Sequence, residues 1–380
     1  MIYLDNGATS FPKPRGMVRE IDNCLLHYCG NPGRSGHKLS IRAGEEIYQA
    51  RKDIGLLFNI SDSSRIVFTN NATAALNLGL KGVIKPGDHV ITTAMEHNSV
   101  LRPLEALKND QVESTIISCS KEGFIDPRKI EKEIKNNTKL IVCTHASNVT
   151  GTIMPIDKIG ALAKKYGLLF MVDGAQTAGH IPIDVEKLNI DLLALPGHKG
   201  LLGPQGTGLL YVRPGVELQP IISGGTGTNS TDLDQPLDLP EGYEAGTINV
   251  PGIVGLGYSA RYVAKLGVEN IGKHEEDLIR FLDSELRNMR NVIVYGPEDC
   301  SKKAGITTFN IKNMGCEEVS DELDKFGICV RGGYHCAPLA HKTIGTYSTG
   351  AVRLSVGPFN TLKDIRIALR GIYQIQRNML

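Results

Sequence analysis

Leu168-Leu169-Phe170-Met171-Val172-Asp173-Gly174-Ala175-Gln176 is the stretch on which the reading of this chain turns. An apolar run, bounded by Gly167 on one side and by an acid and a glycine on the other, has the length of a strand buried on both faces. It delivers the Asp173 carboxylate at its C-terminal end, where ligands bind in open α/β sheets. Taken alone, Asp173 could equally be a helix N-cap. The flanking sequence repeats the texture. Residues 65–69, 90–93, 114–118 and 140–144 read as further strands. Residues 74–80 and 156–166 read as helices, the second closed by Gly167 as a C-cap. Residues 41–58 set Ile47, Ala50, Ile54 and Leu57 at helical spacing against Glu46, Arg51 and Lys52. Alternating strand and helix predicts an α/β domain whose mainly parallel sheet is covered on both faces.

After Tyr211 the texture changes. Residues 223–251 are rich in Gly, Thr, Asn, Asp and Pro with little periodicity, and loops this long are usually functional; the expectation is a loop packed on another chain. Beyond it, Leu278, Phe281, Leu282 and Leu286 mark a helix, and residues 292–295, 306–311, 328–331 and 352–355 read as short strands. A final helix opens at Thr361 with Asp364 three residues on, an approximate capping box. This half predicts a smaller α+β domain. At roughly 150 residues per domain, 380 residues predict two domains. The expected division is an N-terminal arm over 1–15, a large domain over 16–255 and a small C-terminal domain over 256–380.

Lys and Arg number 42 against 41 Asp and Glu, and the resulting net charge of +1 leaves no electrostatic footprint for nucleic acid or an anionic membrane. Glycine, at 42 residues, is about 11% against a norm of roughly 7%, which calls for many tight backbone approaches. The eight cysteines, at 24, 29, 119, 143, 300, 316, 329 and 336, include no CxxC pair and predict reduced thiols. No apolar run approaches the roughly 18 residues of a membrane span, and Met1-Ile2-Tyr3-Leu4-Asp5 lacks the regions of a signal peptide. The expectation is a cytoplasmic protein.

Further segments could carry chemistry. Leu195-Pro196-Gly197-His198-Lys199-Gly200 holds a lysine between glycines; it could form a Schiff base, although most lysines are simply solvated. Asn70-Asn71-Ala72-Thr73 ahead of a helix offers free N–H groups, a hydroxyl and the positive end of a helix dipole, which suits a phosphate. No GxxxxGK[ST] loop occurs, and Gly203-Pro204-Gln205-Gly206-Thr207-Gly208 lacks the lysine, so nucleotide hydrolysis is disfavoured. Arg331-Gly332-Gly333-Tyr334-His335-Cys336-Ala337 is followed by Arg353 seventeen residues after the cysteine. Such a Gly-rich, His- and Arg-flanked setting suits a nucleophilic thiol, against the usual fate of cysteine as a small buried hydrophobe. His335, Cys336 and His341 are poorly spaced for tetrahedral zinc, and no metal is expected.

Together these motifs resemble the pyridoxal-phosphate enzymes of the class V aminotransferase superfamily, and within it the cysteine desulfurase and selenocysteine lyase family, in the branch with a compact cysteine loop. The resemblance runs from Tyr3-Leu4-Asp5-Asn6 through Arg353, with several motifs in order. It implies the PLP-dependent transferase fold (fold type I) with pyridoxal 5'-phosphate as cofactor. Asp173 would pair with the pyridinium nitrogen, Gln176 would lie near the ring hydroxyl, and His198-Lys199 would be the His-Lys pair whose lysine carries the cofactor. Ala72 and Thr73 would form the phosphate cup, His97 of Glu96-His97 would stack on the ring, and Asn148 of Ser147-Asn148-Val149-Thr150-Gly151 would sit near the ring oxygen and the substrate. Gly246-Thr247 is similar to the element that reaches the phosphate of another subunit, which implies a homodimer. Arg34 and His37 match a segment near the mouth of the site.

The same resemblance implies that Cys336 accepts sulfur and that Arg353 grips the substrate α-carboxylate. L-cysteine would become L-alanine, the sulfur being held as a persulfide on Cys336 and passed to an acceptor protein. Lys199 and His97, with His335 or His198, would move protons. L-selenocysteine is the alternative substrate, and an aminotransferase or β-lyase in which Cys336 is not the nucleophile is the alternative reaction. Two departures stand out. Pro196 occupies a position where the family commonly has a serine, which removes one phosphate hydroxyl, and Ala337-Pro338-Leu339-Ala340-His341 differs from the common Ala-x-Pro pattern.

Overall fold

The apolar runs become strands of one seven-stranded sheet in the computed structural model, which describes residues 1–33 and 36–378. Across the sheet the order is Ile66–Thr69, Gly208–Val212, Leu192–Pro196, Leu169–Asp173, Thr138–Thr144, His89–Thr93 and Glu113–Ile117. Pairing is parallel from Leu192–Pro196 through to Glu113–Ile117. Gly208–Val212 runs antiparallel to both its neighbours. The segment from Gly197 to Thr207 holds no helix, so the chain returns directly where a parallel crossover would need a longer connection.

Each inner strand feeds both faces. Phe170 and Val172 join one core with Ile47, Ile54, Ile159 and Val254, while Met171 joins the opposite core with Leu76, Leu80 and Leu104. Strand alternation thus packs the Lys38–Leu57, Ile156–Tyr166 and Val250–Leu266 helices on one side and the Ala72–Val83 and Asn98–Leu107 helices on the other. Gly167 closes Ile156–Tyr166 at φ 65°, the left-handed cap expected from the sequence.

The remainder forms a four-stranded antiparallel sheet, Arg331–Gly333, Ala351–Ser355, Ile306–Ile311 and Val292–Tyr295, under the helices Val268–Arg287, Cys316–Lys325 and Leu362–Asn378. Thr361 and Asp364 complete the capping box: the Thr361 N–H donates to Asp364 Oδ2 at 2.8 Å, and the Asp364 N–H donates to Thr361 Oγ1 at 3.4 Å. The single strand expected over 328–331 is divided between two sheets. Ile328–Cys329 pairs in parallel with Ile2–Tyr3, and Arg331–Gly333 pairs with Ala351–Ser355.

The expected boundary after residue 255 falls inside the Val250–Leu266 helix, where Val254, Leu256 and Ala260 share one core with Ile47 and Ile54. The second core begins with the Val268–Arg287 helix and includes Leu4, so the first residues of the chain pack on the C-terminal unit. Pro251, read as part of the loop, instead starts this helix. Asn249 caps it by accepting from the Gly252 N–H, and proline is preorganised for a first turn. No helix among the described residues is long and apolar enough to cross a membrane.

Candidate active site

Asp173 ends its strand 3% exposed. Its Oδ1 accepts the Ala175 N–H at 2.9 Å, but no helix follows, so the N-cap alternative fails. Burial raises its carboxyl above the ordinary value, opposed by the Ala175 N–H and by the charge of Lys199. Above it lies a cleft of ≈ 220 Å³ whose walls include Ala72, Thr73, His97, Asn148, Gln176, His198, Lys199 and Arg353. Residues distant in sequence therefore converge at the carboxyl ends of the parallel strands.

Lys199 follows the Leu192–Pro196 strand, and its amine has no hydrogen bond or ion pair among the described residues. Burial pushes its amine down to about 8, with Asp173 pulling the other way. The peptide before it is held firmly. The His198 carbonyl accepts from the Ser10 N–H at 3.0 Å, Ser10 Oγ at 3.1 Å, Thr9 Oγ1 at 3.2 Å and Lys13 Nζ at 2.8 Å. His198 Nδ1 is buried without a partner, and burial followed by Lys199 and Lys13 lowers the ring to about 4.

Two helix N-termini meet at the far wall. Asn71 caps Ala72–Val83 by accepting the Ala74 N–H, which leaves the first-turn N–H groups of Ala72 and Thr73 toward the cleft. His97 caps Asn98–Leu107 by accepting the Ser99 N–H at 3.0 Å. Thr73 Oγ1 and Ser99 Oγ lie 2.7 Å apart, so Ser99 brings a second hydroxyl to a cup in which Pro196 has none. Behind this turn, Gly208 passes so close to Asn71 that a Cβ would sit 2.6 Å from its backbone. Burial and then Lys199 hold His97 down at about 4, so its ring is neutral. Below it Glu96 is fully buried. Its Oε1 accepts Thr93 Oγ1 at 2.6 Å and the Thr144 N–H at 3.0 Å, while Oε2 has no partner. Burial pushes this carboxyl up to about 8.

The opposite wall comes from the C-terminal unit. Arg353 is 1% exposed; Nη1 donates to the Asn148 carbonyl at 2.8 Å, Nη2 pairs with Asp5 at 2.9 Å, and Nε is buried without a partner. Arg331 reaches the same cleft. Gln176 Nε2 donates to the Gly7 carbonyl at 3.0 Å. Cys336 is exposed and stands outside the cleft lining, but its peptide is fixed beside it. Asn148 Nδ2 donates to the His335 carbonyl at 2.6 Å, and the Asn98 N–H donates to the Cys336 carbonyl at 2.7 Å. Both ring nitrogens of His335 are engaged, so it is not a free proton carrier.

Two sequence candidates lie elsewhere, and a third is not described. Thr247 lines a different cavity, with Phe68, Thr69 and Asn70. His37 is exposed and caps the Lys38–Leu57 helix through the Ser40 N–H. Arg34 lies outside the described residues. Among the described residues no group of three His, Cys, Asp or Glu side chains is arranged to hold a metal. Sequence reasoning missed the roles of Asp5, Lys13, Ser99 and Arg331. Ser99, three residues after Glu96, was the one with a local signal, a hydroxyl in the first turn of a helix.

A buried acid, an unpartnered lysine and two helix N-termini thus meet in one cleft at the strand ends of an α/β sheet. The chain belongs to the class V aminotransferase family, described as "Aminotransferase class-V", which matches residues 2–367. It is 36% identical over 373 residues to a probable cysteine desulfurase of Methanothermobacter thermautotrophicus, covering 96% of this chain and 92% of that protein. It is 35% identical to a probable cysteine desulfurase of Pyrococcus abyssi, covering 100% of this chain and 95% of that protein. In structure it is similar to an apo cysteine desulfurase from Thermococcus onnurineus, with a TM-score of 0.92 and 35% identity over 99% of this chain and 95% of the other.

Proposed function

We propose that the protein is a pyridoxal-phosphate-dependent cysteine desulfurase. The observation that carries this reading is Lys199, a half-buried, unpartnered amine lowered to about 8, in one cleft with Asp173 and Arg353 and with the Cys336 loop pinned at its edge. The names of the similar proteins agree with it. The donor set fits the cofactor. The free N–H groups of Ala72 and Thr73, with the Thr73 and Ser99 hydroxyls, suit its phosphate, Asp173 suits its ring nitrogen, and His97 and Gln176 suit its ring.

When bound, the cofactor supplies an electron sink for the pair left at the substrate Cα on loss of its proton. Asp173 would hold the proton on the ring nitrogen of the bound cofactor. Lys199 would hold the cofactor, and its free amine would take the substrate Cα proton as general base. Arg353, with a free Nε, orients the substrate α-carboxylate. The Cys336 sulfur attacks the substrate sulfur: an S–S bond forms, the C–S bond breaks with its electron pair left on carbon, and that carbon is protonated. Thiol plus L-cysteine thus gives persulfide plus L-alanine, and the persulfide passes its outer sulfur to an acceptor protein. L-selenocysteine fits the same groups. A second copy of the chain completes the phosphate site through Thr247, which lines a different cavity from the cleft of its own chain. Eight free cysteines suit the cytoplasm.

The test adds L-cysteine and a reductant to the yellow holoenzyme and assays alanine and sulfide. Equal yields of the two, abolished in Cys336→Ser, are expected. Keto-acid in place of alanine moves the reaction to transamination, and parental turnover in Cys336→Ser removes Cys336 from the reaction.

A further inference from the structure

Cys336 sits in an unusual piece of backbone. His335 and Cys336 have φ of 51° and 56°, two consecutive non-glycine residues in the left-handed region. Such a conformation persists only where its surroundings over-determine it. The Asn148 and Asn98 bonds hold the two carbonyls of this turn. A third device holds its side chains, and two of its members, His341 and Thr346, stand outside the cleft lining.

His335 is 3% exposed, and its Nε2 lies 3.1 Å from the Arg331 carbonyl. A carbonyl only accepts, so Nε2 carries the hydrogen and Nδ1 the lone pair. That lone pair faces His341 Nε2 at 3.3 Å, which therefore donates. His341 Nδ1 is then an acceptor, and Thr346 Oγ1, 2.8 Å away, donates to it. The chain runs in one direction, from the Thr346 hydroxyl through two imidazoles to the Arg331 carbonyl. His341 is 0% and Thr346 1% exposed, and the two imidazole planes lie within 14° of each other with centroids 5.5 Å apart. Tyr334 packs edge-on against His341 at 5.5 Å and donates its hydroxyl to the Tyr347 carbonyl at 2.8 Å. The contacts thus join both sides of Cys336, the strand before it and the Pro338–Ile344 helix after it.

A chain that ends on a backbone carbonyl cannot hand a proton onward, which makes it a brace and not a relay. Burial, with Arg353 and Arg331 close to His335, drives that ring far below its ordinary value, and burial lowers His341 to about 4, so both stay neutral near pH 7. We propose that His341 and Thr346 are positioning residues for the sulfur-accepting step: acting through His335, they fix the left-handed turn that presents Cys336 at the mouth of the cleft. This inference rests on the reading of Cys336 as the nucleophile.

The test uses the holoenzyme and measures kcat and KM for L-cysteine in Thr346→Val, Thr346→Ser, His341→Leu, His341→Gln and Cys336→Ser. Valine matches threonine in shape and removes only the hydroxyl. A displacement of about 1 Å at a reacting atom lowers rates by about 100-fold. Thr346→Val is therefore expected to lose about 10- to 100-fold in kcat. Its KM, its cofactor spectrum and the spectral change on adding L-cysteine stay those of the parent. Thr346→Ser restores the rate, and His341→Gln, whose amide can still donate to His335 Nδ1, outperforms His341→Leu. Should Thr346→Val not bind cofactor, the His341 pair decides by the same criterion. The loss is a constant factor from pH 6 to 9. Parental kcat in Thr346→Val and His341→Leu, with Cys336→Ser inactive, overturns the brace, as does a loss confined to one limb of the pH profile. Parental turnover in Cys336→Ser overturns the underlying reading instead.

Discussion

Replacing Glu96 by glutamine should make the protein relatively more stable as the pH rises. Glu96 is 0% exposed, and burial raises its carboxyl from the ordinary 4.5 to about 8. Between those values the folded protein keeps this proton while the unfolded chain gives it up. The unfolded state therefore binds fewer protons, and stability falls with rising pH. The slope is about 1.4 kcal/mol per pH unit, and the loss across the window is on the order of 5 kcal/mol. Below pH 4.5 and above 8 this group contributes no slope. Glutamine keeps the Oε1 acceptor for Thr93 Oγ1 and the Thr144 N–H and cannot ionise. Its added N–H finds no partner, since Oε2 has none, and this costs about 1–3 kcal/mol at every pH. The difference in unfolding free energy between Glu96→Gln and the parent, from guanidinium unfolding of both at pH 5, 6, 7 and 8, should begin at or below zero. It should climb by about 4 kcal/mol over the series. A difference that stays flat within 1 kcal/mol would refute the assignment of a protonated Glu96. Activity should survive near pH 7, because Glu96 is already neutral there and glutamine keeps its Oε1 contacts.

Two further outcomes follow from the same structure. Lys199 is lowered to about 8 by burial, so the rate at which cofactor-free protein captures pyridoxal phosphate should rise up to pH 8 and level off above it. Asp173 opposes that lowering, so in Asp173→Asn the midpoint should move below 8; a rate still climbing between pH 9 and 10 in the parent contradicts this. Glu244 ties the long loop to the sheet and the Lys38–Leu57 helix, pairing with Arg51 at 2.5 Å and accepting the Phe68 N–H at 2.5 Å, with both charged side chains under 8% exposed. Glu244→Ala leaves Arg51 buried without its counter-charge and should destabilise by about 3–5 kcal/mol. Chymotryptic cleavage at Leu233 and Leu237, both already exposed, should increase; an unchanged unfolding midpoint and digestion pattern would speak against the anchor.

Much of this protein is legible in its sequence. The run ending in Asp173 has one dominant way to bury itself, between two helical layers, and the Gly167 cap and the Thr361–Asp364 box depend on neighbours within a few residues. The Lys199 and Ala72-Thr73 motifs are equally local, because strand ends and helix starts expose the same groups in any α/β sheet. The antiparallel Gly208–Val212 strand and the split of residues 328–331 were not legible, since strand direction and partner depend on non-local pairing. The same holds for the bonds that complete the site. Asp5 on Arg353 spans 348 residues, Lys13 on the His198 carbonyl spans 185, and Asn148 on the His335 carbonyl spans 187. His341 shows why. In the sequence it is one more histidine after a cysteine, and only its burial against His335 and Thr346 determines which nitrogen carries the hydrogen and hence what the residue can do. Local sequence determined which groups could do chemistry; the packing of two cores against one another decided which of them meet, because desolvation and hydrogen-bond direction exist only once distant segments have closed around them.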